Sequence, residues 1–158
     1  MEDNNYTAEY IKTVGYDFNS LCYSYDGNLI LDNPEDEDGL PFSGVAYELY
    51  KNENLAYYRF YQNGLSHGAY KSFYESGSIK CQQMMQFGFI NGKMECFYED
   101  GSIKTLSYHE LGVQLSYKEW DEDGNLIVDE ELKPDDDAYE ILLMRREDFN
   151  TLTDQSIQ

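Results

Sequence analysis

Positive charge is scarce in this chain. Lys and Arg number 11 against 31 Asp and Glu, a formal net charge of -20. Such a chain repels phosphate backbones and anionic lipid heads, which excludes nucleic acid and membrane surfaces as natural direct partners. A basic protein is the complementary partner, and plain solubility is the alternative use of the same charge. Long apolar runs are missing as well: none approaches the roughly 20 residues of a membrane span. The opening Met1-Glu2-Asp3-Asn4-Asn5 lacks the basic and apolar regions of a signal peptide, so the expectation is a cytoplasmic protein. Cysteine is rare. Cys22, Cys81 and Cys96 are odd in number and follow no framework spacing, which argues for reduced thiols. They also lack the close pairing of zinc ligands, so no metal or other cofactor is expected from them. Histidine is nearly absent too. His67 reads as a turn residue and His109 as a sheet-surface residue, and neither stands beside a nucleophile as a catalytic pair requires. No Walker loop or dinucleotide fingerprint occurs, so an enzyme is the weakest class.

What the chain does have is tyrosine, 16 in 158 residues, and a repeat. Tyrosine forms strands and anchors interfaces. Gly44, Gly68 and Gly92 step by 24 residues, and Gly64, Gly88 and Gly112 keep the same step. So do Gly77 with Gly101, and the column Tyr50, Tyr74 and Tyr98. Two apolar columns follow it, Leu55, Ile79, Ile103 and Ile127, and Phe60, Met84, Tyr108 and Leu132. Each unit carries two turn signals. Glu75-Ser76-Gly77-Ser78 and Glu99-Asp100-Gly101-Ser102 read as hairpin turns with glycine at positive φ. The pairs Gly64 and Gly68, Gly88 and Gly92, with Gly112 after them, mark the turn to the next hairpin. Segments of strand length lie between. The fold class is therefore mainly β, a single-layer antiparallel meander of β-hairpin repeats, in one domain over residues 1–158.

Organisation follows from where the period fails. Residues 1–24 form an N-terminal segment and 25–132 the repeat sheet, interrupted by an acidic insertion over 32–41. Tyr25-Asp26-Gly27-Asn28-Leu29 looks like the turn of an earlier copy, and Trp120 to Ile127 a final turn one residue out of step. After Pro134, Ala138, Ile141, Leu142, Arg145 and Phe149 make a helical stripe, which predicts a capping helix over 134–149 and a frayed tail over 150–158. Acidic Asp135 to Asp137 at its start and Arg145 and Arg146 near its end suit the helix dipole.

The segments Asn63-Gly64-x-x-His67-Gly68 and Phe73-Tyr74-x-x-Gly77-x-Ile79-Lys80 resemble the MORN repeat in its bacterial variant form. The resemblance covers roughly Tyr25 to Ile127. Glu53, standing where Gly77 and Gly101 stand, and Ser116, standing where Gly92 stands, depart from it. It implies a long twisted antiparallel sheet. It also implies an immunity protein or antitoxin that binds and neutralises a cognate toxin, expected to be basic, by blocking its active site. A MORN-type interaction scaffold with no toxin partner is the alternative.

Candidate partner-binding residues are the acidic insertion Glu35, Asp36, Glu37 and Asp38, and the final acidic turn Asp121, Glu122 and Asp123, with Trp120 as anchor. Trp120 packing beneath the C-terminal helix is the alternative. Glu119 to Glu130 also has the acidic spacing of a calcium loop, but it begins on Glu and occupies a hairpin column, so no metal is expected. The aromatic rows serve either as cross-strand supports or as a ligand surface, and support is the preferred reading.

Overall fold

A computed structural model describes residues 6–33 and 39–155, with side chains described to residue 150. The chain runs α1 (Ala8–Val14), β1 (Tyr16–Asp17), a 3-10 turn (Phe18–Ser20), β2 (Cys22–Tyr23), β3 (Ile30–Leu31) and β4 (Gly44–Leu49). Then come β5 (Leu55–Gln62), β6 (Leu65–Phe73), β7 (Ile79–Gln86), β8 (Phe89–Phe97), β9 (Ile103–Glu110), β10 (Val113–Trp120), β11 (Leu126–Glu131) and α2 (Asp137–Gln155). Strands β4 to β11 pair in chain order as an antiparallel meander, and β1 adds in parallel beside β4. β2 and β3 form a separate hairpin, so the early turn at Gly27 belongs to a flap and not to the main sheet.

Two kinds of turn alternate because two kinds of sequence alternate. At one end of the sheet Tyr74 N–H donates to Ser78 C=O and Gly77 N–H to Tyr74 C=O, with Gly77 at φ 92. Tyr98, Ser102 and Gly101 repeat the arrangement with Gly101 at φ 88. This is a three-residue loop closing on a left-handed residue, where glycine has no steric penalty. At the other end two-residue loops hold both central residues at positive φ: Asn63-Gly64, Phe87-Gly88 and Leu111-Gly112. The second glycine of each expected turn pair lies elsewhere. Gly68 and Gly92 sit inside β6 and β8 at bulges, where Phe60 and Met84 each face a widened stretch of the neighbouring strand. His67 accordingly lies in a strand and not in a turn.

The last repeat is out of step for a visible reason. Between Ser66 and Tyr70, and between Ile90 and Met94, the bulged strand carries two extra residues, whereas between Gln114 and Ser116 it carries one. Ser116 stands where a bulge glycine stood. The shorter bulge advances the next turn by one position, so Leu126 and not Ile127 pairs with Trp120 as Ile79 pairs with Phe73. Likewise Ser116, next in the Tyr108 row, pairs with Glu131 and not with Leu132.

The single-layer description holds for the later strands only. Val45 and Ala46 are neighbours on β4 and point to opposite faces. Val45 joins Ile11 of α1, Leu55 and Tyr58 in one buried cluster, while Ala46 joins Leu21, Ile30, Phe42 and Tyr61 in another. The N-terminal segment thus covers both faces of the first strands. Of 14 buried hydrophobic residues among those described, only Met85, Leu111, Val113 and Leu142 come after β6. The C-terminal helix starts at Asp137, later than the expected 134, and runs on to Gln155 through part of the expected tail. It lies over the Phe87-Gly88 and Leu111-Gly112 turns. Arg145 Nη1 donates to Leu111 C=O at 2.6 Å, Arg146 makes two hydrogen bonds to the Glu110 carboxylate, and Phe149 meets Phe87. Gly112 permits this approach: a Cβ there would stand 2.8 Å from Phe89 Cδ1 and 2.9 Å from Arg145 Nη1.

Two cysteines overturn the expectation of reduced thiols. Cys81 on β7 and Cys96 on β8 are direct cross-strand partners, with Cα atoms 4.1 Å apart, and form a disulfide. The two-residue turn at Phe87-Gly88 makes their strands neighbours, and 15 residues of separation close the register on that pair.

Candidate functional site

The three-residue turns stand side by side along one rim of the sheet, and tyrosines fasten them. Tyr50 Oη donates to Phe73 C=O at 2.8 Å, Tyr74 Oη to Phe97 C=O at 2.9 Å, and Tyr98 Oη to Trp120 C=O at 2.8 Å. Each phenol satisfies a carbonyl one repeat further on, which ties successive turns at a fixed spacing. Asn52 and Asn54 Nδ2 add donations to Glu75 C=O, and Ser78 Oγ donates to Glu99 C=O. The tyrosine column is therefore a support, as preferred from the sequence.

On this scaffold the rim presents Glu53, Glu75, Glu99, Asp100, Glu122 and Asp123, all exposed. Their side chains form none of the ion pairs found among the described residues, which are Lys93–Glu95, Lys118–Asp129 and Arg146–Glu110. The rim continues onto β11, the edge strand, where Asp129, Glu130 and Glu131 are exposed. Hydrogen bonding from Ser102 holds the Asp100 carboxyl below its ordinary 3.8, and from Asn125 does the same for Asp121. Burial, and then the charges of Glu122, Glu119 and Asp121, push the Tyr98 phenol above its ordinary 10.0. The field at the last turn is negative and fixed.

The members of the final turn are not equivalent. Asp121 Oδ1 accepts from the backbone N–H of Asp123 at 3.0 Å and of Asn125 at 2.8 Å, so its carboxylate builds the turn. Glu122 and Asp123 are free to face a partner. This also sets the segment apart from a calcium loop: Glu119 lies opposite Val128 and Glu130 opposite Tyr117 in paired strands, and Asp121 serves its own backbone. Among the described residues no three His, Cys, Asp or Glu side chains gather as metal ligands. Trp120 is half-buried at the end of β10. α2 binds the residues before the opposite end of that strand, so Trp120 does not pack beneath the helix. The eight residues of β10 put roughly 23 Å between the two ends. Of the other candidate residues, Glu35, Asp36, Glu37 and Asp38 lie outside the described residues.

The histidines stand apart from this rim. His67 packs against Phe87 at 5.0 Å beneath α2's end of the sheet. Burial holds His109 below its ordinary 6.5. Cys22, the remaining thiol, donates to Asn33 C=O.

A second feature escaped the sequence reading. On the face opposite α1, a groove of about 470 Å³ is lined by Tyr57, Arg59, Tyr70, Gln83 and Met94, with the disulfide cysteine Cys81 among its walls. The available signal was slight: Arg59 is the sole arginine before residue 145 and stands in a run of tyrosines.

Comparison with known proteins agrees with the repeat. The MORN repeat variant family matches residues 66–86 and 90–111. The chain is 49% identical over 145 residues to the protein named Immunity protein YwqK from Bacillus subtilis (strain 168), covering 92% of this chain and 94% of that one.

Proposed function

We propose, from the premise that this chain belongs to the MORN repeat variant family and its immunity-type relatives, that it neutralises a toxin by binding it. The acidic rim docks on a basic surface at or over the toxin's active site. The observation that carries this reading is the row of exposed carboxylates, outside the ion pairs of the described residues, on turns locked together by tyrosines, with Glu130 and Glu131 extending the negative surface onto the edge strand. Such a row raises encounter rates with a basic partner, and its rigidity avoids an ordering cost on binding. Where the toxin acts on nucleic acid, these carboxylates occupy the places of phosphates. Trp120, beside Glu122 and Asp123, supplies the aromatic contact in which interface energy concentrates.

The encounter is placed in the cytoplasm, where an immunity protein shields the cell's own targets. Disulfides persist in oxidising compartments, so the redox state of Cys81 and Cys96 in cells is a direct check on that placement.

The test is a kinetic binding measurement with the toxin domain encoded beside this protein. A stoichiometric complex is expected, with an association rate falling at least tenfold between low and physiological salt because exposed charges steer and salt screens them. Glu122→Lys with Asp123→Lys should slow association, and Trp120→Ala should chiefly speed dissociation. A complex indifferent to salt and to all three substitutions places the interface elsewhere. No binding and no protection leaves the interaction-scaffold reading in front.

A further inference from the structure

In a chain with 31 carboxylates, one groove has only cationic charge. Its charged lining residues are Arg59 and Lys80. The Arg59 guanidinium lies 4.8 Å above the Tyr70 ring; its hydrogen-bonding neighbours are neutral, the Tyr61 phenol and Ser66 Oγ, the latter 3.5 Å from Nη1. Its Nε is buried and has no hydrogen-bond partner. Glu48, opposite Tyr57 on β4, acts on the Tyr57 phenol, and Arg59 takes part in none of the ion pairs among the described residues. A buried donor left unsatisfied on a charged group is costly. Carboxylates are abundant here, so the absence of one beside this guanidinium is not explained by composition.

We infer that this groove receives an acidic side chain of a protein partner, with Arg59 as its hydrogen-bonding cation and Tyr57, Tyr70 and Met94 as the apolar walls around it. A guanidinium presents a planar fork that fits a carboxylate through two parallel N–H···O bonds. The ring beneath it excludes water from one side and strengthens that contact. The rest of the molecule selects the source of the anion. A nucleic acid or an anionic membrane brings many charges against a net -20 and is repelled. A single Asp or Glu on an otherwise basic protein is not. The rim then steers the partner, and this opposite-sign contact fixes its register. The inference uses the proposed partner only for its net charge, and its test does not require that partner.

The full chain, labelled for amide NMR, is titrated at low salt with two peptides, acetyl-Leu-Glu-Phe-amide and acetyl-Leu-Gln-Phe-amide. Inorganic phosphate and phosphatidylserine vesicles form parallel arms. The Glu peptide should shift the amides of Arg59, Tyr70 and Gln83 and bind about tenfold more tightly than the Gln peptide, the advantage of a charge-assisted pair. Arg59→Gln should erase that preference, and Lys80→Gln, an exposed substitution that does not threaten folding, should reduce it. Glu122→Lys with Asp123→Lys should leave the groove's response in place. Equal response to the two peptides, no response to either, or a preference unchanged in both Arg59→Gln and Lys80→Gln overturns the inference. Tighter binding of phosphate or vesicles than of the Glu peptide overturns it in favour of another anion. Toxin binding without a Glu preference in the groove would sink this inference and leave the proposed function standing.

Discussion

Tyr58, Gln82 and Leu106 stand one repeat apart and lie in one cross-strand row, yet they meet different surroundings. Tyr58 is fully buried under Ile11 of α1. Gln82 and Leu106 are half-buried on the same face. The row continues through polar pairs, with Gln82 Nε2 donating to Glu95 and Lys118 pairing with Asp129. The repeat therefore supplies a sheet but not a core. The core comes from whichever segment lies on the sheet, and here that is residues 6–33 together with the stretch around Phe42. The uncovered strands keep their faces and rim for other use. The same division places the acidic rim and the Arg59 groove beside the stable end of the molecule without burying either.

The strongest test of that comparison is truncation within the row. Tyr58→Ala should cost about 3–5 kcal/mol, as for other large buried rings, and Leu106→Ala only about 1–2 kcal/mol, both read by denaturant unfolding. Equal losses would mean the two halves share one core after all. Turn chemistry provides a smaller effect of opposite signs. Gly101→Val, at φ 88, should cost about 1–2 kcal/mol, because a β-branched residue is strained there. Glu53, the non-glycine counterpart at φ 66, should gain about 0.5 kcal/mol on Glu53→Gly. An unchanged melting temperature in both would refute the turn geometry.

The smallest expected effect concerns α2. The Arg146 guanidinium holds the Glu110 carboxyl below its ordinary 4.5. A carboxyl with a depressed folded pKa stabilises above its unfolded value, and the contribution is lost as pH falls through the folded one. Wild type should therefore lose more stability than Glu110→Gln between pH 6 and pH 3, in melts at matched salt. Identical losses would show that this half-exposed pair does not help to dock the helix.

Much of this was legible because the period of 24 writes turn chemistry directly into the chain. The glycine columns fixed hairpin length and strand order, and the out-of-step final turn already signalled a missing residue. The consequence for Ile127 and Leu132 was not legible, since a shorter bulge changes partners only once strands are paired. α1 was missed because Ala8 to Val14 is too short for its periodicity to stand out. Asp121 read as one acid among three, although its carboxylate closes the turn and those of Glu122 and Asp123 do not.

The amino-acid order by itself determined the antiparallel meander, the alternation of two turn types, the sign of the charge and the presence of a helix after the last strand. These depend on residues close in sequence, where glycine conformation and strand alternation act locally. Tertiary structure alone decided that Cys81 faces Cys96, that Val45 and Ala46 feed two separate cores, and that Arg59 lies on Tyr70 in a groove without a carboxylate. Those outcomes depend on which strands and segments become neighbours, and the pairing register brings together residues that local spacing leaves apart.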